Sequence, residues 1–104
     1  MSLEEDIYYD QKGLVTLYGE FSEKLKTYIK NMNDNIFSIE STVNELNTYW
    51  TDENYRSYKK MMEGGVNVLM DKVYSVAELK TAIDKSRNET EAALDKMRVR
   101  FGFN

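Results

Sequence analysis

The sequence predicts an all-α protein: a long antiparallel helical hairpin that pairs into a four-helix bundle dimer. Three observations predict it. Proline, the strongest helix breaker, is absent from all 104 residues. Apolar residues recur at alternating steps of three and four on both sides of the chain's midpoint. The single tryptophan sits between those two series, in the stretch Asn47-Thr-Tyr-Trp-Thr-Asp-Glu-Asn-Tyr-Arg-Ser-Tyr58, among residues that favour turns and helix starts.

The first helix is expected over about residues 7–49. Its seam reads Leu14, Tyr18, Phe21, Leu25, Tyr28, Met32, Ile36, Ile39, Val43, Leu46 and Trp50. The step of four repeats once, from Met32 to Ile36, which reads as a slip in the heptad pattern. Met1-Ser2-Leu3 is given no structural weight. The turn is placed at about 50–52, with Thr51 as the expected N-cap and Asp52 and Glu53 in the positive first turn of the next helix.

The second helix is expected over about 53–100. Its seam reads Tyr55, Tyr58, Met62, Val66, Leu69, Val73, Val76, Leu79 and Ile83, then more weakly Arg87, Thr90, Leu94, Met97 and Phe101. Gly64-Gly65 costs roughly 2 kcal/mol of helix propensity relative to alanine. The seam keeps phase across the pair, so a local bend in one helix is expected. Folding back near Trp50 pairs Leu46 with Tyr55, Val43 with Tyr58, Ile39 with Met62, Met32 with Leu69, Tyr28 with Val73, Leu25 with Val76 and Tyr18 with Ile83. The same register sets Phe37 against Gly64. It also brings acidic Glu4, Glu5, Asp6 and Asp10 near basic Lys96, Arg98 and Arg100, each sign suiting its helix dipole.

Composition narrows the function classes. Cysteine and histidine are both absent, which excludes disulfides, Cys/His zinc sites and Cys- or His-based catalysis. The calcium-loop pattern is missing as well. No catalytic, cofactor-binding or metal-ligating residue is assigned, and the expectation is a protein that is not an enzyme. Net charge is −4 with both signs interspersed, so no nucleic-acid face is expected. No apolar run is long enough to span a membrane, and no signal-peptide core is present. Asn88-Glu-Thr90 has the glycosylation spelling and reads as chance on a charged helix.

The second helix is richer in apolar residues between Val66 and Leu79 than a two-helix seam requires. Val68, Met70, Tyr74 and Ala77 lie off the seam there, and Leu17, Ile29 and Phe37 lie off it on the first helix. These seven are the candidate partner interface, because two helices alone form little core. The expected partner is another helical hairpin.

Trp50, Asp52, Tyr55 and Tyr58 form the candidate turn motif. Here the chain resembles the WXG family of small type VII secretion proteins, the early-secreted-antigen-like proteins, as a divergent member. Trp50 is followed eight positions later by Tyr58, the family's aromatic spacing, while Asp52 stands where the family has glycine. The family's export signal, Tyr-x-x-x-Asp/Glu, has no match after residue 95. Tyr74-Ser-Val-Ala-Glu78 matches its letters but lies mid-helix and reads as chance. The resemblance implies a helical hairpin secreted without a cleaved signal peptide and paired with a related hairpin, as homodimer or heterodimer. It also implies a role as secretion substrate or export companion, a companion's partner being a larger secreted protein with an N-terminal helical domain. The alternative is a cytoplasmic coiled-coil adaptor unrelated to secretion.

Overall fold

A computed structural model describes residues 2–102. Helix α1 spans Leu3–Tyr49 and helix α2 spans Glu53–Phe101, and no strand occurs among the described residues. The fold is an all-α helical hairpin. Both helices contribute to two compact units, Met1–Lys26 with Glu78–Asn104 as the first and Thr27–Ala77 as the second.

Each helix start has a side-chain cap. The Ser2 hydroxyl accepts the backbone N–H of Glu5 at 3.1 Å, so α1 begins at Leu3, earlier than its apolar series suggests. Ser2-Leu3-Glu4-Glu5 has the spelling of a capping box, with Glu4, Glu5 and Asp6 at the positive end of the helix. Ser2 therefore has a structural role that the sequence reading denied it. At α2 the cap is Asp52 and not Thr51. The Asp52 Oδ1 accepts the Tyr55 N–H at 3.1 Å, and Thr51 is exposed.

The buried face of α1 corrects the expected seam. Tyr8, Ser22, Ile36 and Val43 are buried. Between them the half-buried positions run Gln11, Val15, Tyr18, Leu25, Ile29, Met32, Ile39 and Leu46. This series alternates three and four without interruption, so the slip at Met32 does not exist. It arose from following Phe21 and Tyr28, which are exposed, in place of Ser22 and Ile29. On α2 the exposed Leu79 likewise yields to the half-buried Lys80. The physical reason is a polar contact. The Ser22 hydroxyl donates to Asp84 Oδ1 at 2.5 Å, and Lys80 Nζ donates to Asp84 Oδ2 at 2.7 Å. A hydrogen-bonded serine can be buried where an apolar count favours its neighbour.

The register of the first unit moves with the seam. In the first unit Ser22 meets Asp84 and Gly19 meets Arg87. The expected pairing would have set them against Leu79 and Ala82, more than a helical turn away. In the second unit Ile39 and Val43 share a groove with Lys59, Met62 and Val66. The Tyr55 hydroxyl donates to the Val43 carbonyl at 2.7 Å. At the chain ends a local ion pair is found, Arg98 to Asp95 at 3.2 Å.

Helix α2 runs unbroken through Gly64-Gly65. Both glycines are exposed, and a Cβ on either would meet nothing within 4 Å. Phe37 is 74% exposed, so the expected packing of its ring on Gly64 is absent.

Candidate interaction site

The turn is built around one carboxylate. Asp52 Oδ1 accepts the Trp50 indole N–H at 2.7 Å while capping α2 through Tyr55 N–H. The indole ring lies 5.6 Å from the Tyr55 ring, edge to face, and 5.6 Å from the Tyr58 ring. Tyr55 is only 3% exposed and is anchored at its far end by Val43. Trp50 and Tyr58 are half-buried. All four residues of the candidate turn motif therefore come together in the second unit. Among the described residues only Gly102 has a positive φ, so nothing at position 52 requires glycine.

Of the seven candidate interface residues, six lie in the second unit and Leu17 in the first. Ile29 is half-buried and falls in phase with the hairpin's own seam. Ala77 is half-buried too. Met70 and Tyr74 share a groove with Asn33 and Val73. Val68 lies in a different groove, with Tyr28, Lys72 and Val76. Phe37 and Leu17 are strongly exposed, Leu17 in the first unit.

Sequence reasoning missed a more regular feature. Within the first unit, exposed Leu3, Ile7, Leu17 and Phe21 and half-buried Leu14 lie along one flank of α1, beside the true seam. Ile7, Leu14 and Phe21 are spaced by heptads. The signal was present in the sequence, but part of this flank was read as the seam itself. A seam plus one such flank is the pattern of a helix that packs in a bundle, wider than a two-helix contact needs.

Among the described residues no group of three or more acidic side chains is placed to hold a metal ion, and no helix is long and apolar enough to cross a membrane. The carboxylate of Asp84 has a lowered pKa. Hydrogen bonds from Lys80 and then Ser22 hold it below its ordinary value, opposed by desolvation. An acid held ionised in this way accepts hydrogen bonds and does not donate protons near neutrality. No family model, curated protein or solved structure matches this chain.

Proposed function

We propose that this chain is a non-enzymatic helical interaction protein, a secreted substrate or an export companion of a type VII-like secretion system. The observation that carries the reading is the turn. The chain's single tryptophan is clamped between Asp52, Tyr55 and Tyr58 at the point where one long helix gives way to the other. The resemblance to the WXG family rests on those residues. The apolar flank of α1 supports the binding half of the proposal, because a hairpin that binds by burying a helical face needs such a surface. Its partner on this reading is a related hairpin, or the helical N-terminal domain of a larger secreted protein.

Purification of the untagged native species from source cells and medium tests this. A complex with a second helical chain, or a self-paired species in the medium, is the expected result. A monomer retained in the cell, with no partner, would sink the proposal. The second reading, a cytoplasmic coiled-coil adaptor, is favoured by Asp52. Its side chain accounts for the turn through ordinary capping, with no family glycine. A stable complex found only inside the cell would select it.

A further inference from the structure

The seams of the two units differ in chemistry. In the second unit they are almost wholly apolar: Ile29, Met32, Ile36, Ile39, Val43 and Leu46 on α1, and Met62, Val66, Leu69, Val73 and Val76 on α2, with Lys59 the polar exception before Met62. In the first unit the buried and half-buried seam includes Gln11 and Ser22 on α1, and Lys80, Arg87 and Thr90 on α2. Both units expose apolar residues outside the seam, Leu17, Phe21 and Val99 in the first and Phe37, Met61 and Tyr74 in the second, so the contrast lies in the seams themselves. Hydrophobic burial, the main non-directional force holding two helices together, is therefore weaker in the first unit.

Directional contacts take its place there. Ser22 is 6% exposed and donates to Asp84, which also accepts from Lys80. One turn along, the Arg87 guanidinium lies over Gly19, its Cζ 3.1 Å from where a Cβ would be. Arg87 Nε is shielded from solvent and 3.2 Å from a Glu91 carboxylate oxygen, but it is not aligned to hydrogen-bond it. The arrangement is specific to its register. A shift of one heptad would replace Gly19 by Lys12 or Lys26, setting like charges together, and would replace Ser22 by Val15 or Ile29, leaving a carboxylate against an apolar side chain.

We propose that the first unit opens on its own, and that Ser22, Asp84 and Lys80, with Arg87 seated on Gly19, form the clasp that holds it shut. Regions with few buried apolar contacts open below the free energy of global unfolding. Opening uncovers Val15, Tyr18 and Leu25 next to the exposed Leu17 and Phe21, giving α1 a broader apolar face. Use of that face by a helical partner rests on the pairing function proposed above. The clasp does not, and it is tested on the isolated chain.

Native-state hydrogen exchange read by mass spectrometry, on the full chain in mild denaturant, decides it. Backbone amides of residues 8–25 and 80–97 should exchange through a smaller opening than those of 29–46 and 59–76. Equal protection in both units, in the unmodified protein, overturns the proposal. Asp84→Asn and Ser22→Ala should each speed exchange in the first unit by about tenfold, the effect of losing a charge-assisted hydrogen bond. The second unit should change by less than about twofold, because it shares no partner with the clasp. Parallel acceleration of both units would also overturn it.

Discussion

One oxygen of Asp52 accepts both the indole N–H of Trp50 and the capping N–H of Tyr55. Asp52→Ala should therefore cost about 1–2 kcal/mol, the upper range of a lost N-cap, read as a fall in denaturation midpoint. Asp52→Gly should cost less, because glycine is itself a tolerated cap. Tyr55→Phe removes a buried donor from the Val43 carbonyl and should cost about 1 kcal/mol in the same assay. Asp84 gives a pH signature. Its folded pKa is depressed by Lys80 and Arg87 on α2 and by the hydroxyl of Ser22 on α1. The stabilisation is therefore complete above its ordinary value of 3.8 and is lost as pH falls through the lower folded value. Thermal midpoints of the wild type and Asp84→Asn should differ near neutrality and converge in acid. At this scale the sequence was partly legible. The four turn residues were identifiable, but the cap was assigned to Thr51, because Thr and Asp are both good caps and residue type alone does not say which side chain reaches the Tyr55 N–H.

The two helices could be read from the sequence, and so could the continuity of α2 through its glycines. Their phase could not. Phe21, Tyr28 and Leu79 each sit one position from the true seam residue, and in two of the three cases that residue is polar, Ser22 or Lys80. A hydrophobic count cannot see that a serine is buried because an aspartate on the other helix accepts its hydrogen bond. The glycines offer contrasting tests. Gly64→Ala and Gly65→Ala should each stabilise the hairpin by roughly 0.5–1 kcal/mol, since the new methyl meets nothing and helix propensity improves. Gly19→Ala adds the same propensity but pushes the Arg87 guanidinium from its seat. It should gain less than the other two, or lose stability, in the same melting assay.

For the molecule as a whole, the apolar flank of α1 in the first unit is one of the surfaces the fold leaves unused. Phe21→Glu should leave helix content unchanged by circular dichroism, because Phe21 lies outside the hairpin's own seam. It should weaken any self-association seen by sedimentation equilibrium. If the chain does self-associate, the wild-type midpoint should also rise with protein concentration. The turn gives these experiments a built-in reporter. A lone indole with two phenol rings 5.6 Å away is an efficient acceptor for tyrosine excitation. Its emission colour and intensity should report the state of the second unit alone, while backbone dichroism averages over both. A denaturant titration followed by the two signals, without any attached dye, would reveal directly whether the chain melts in one step or two.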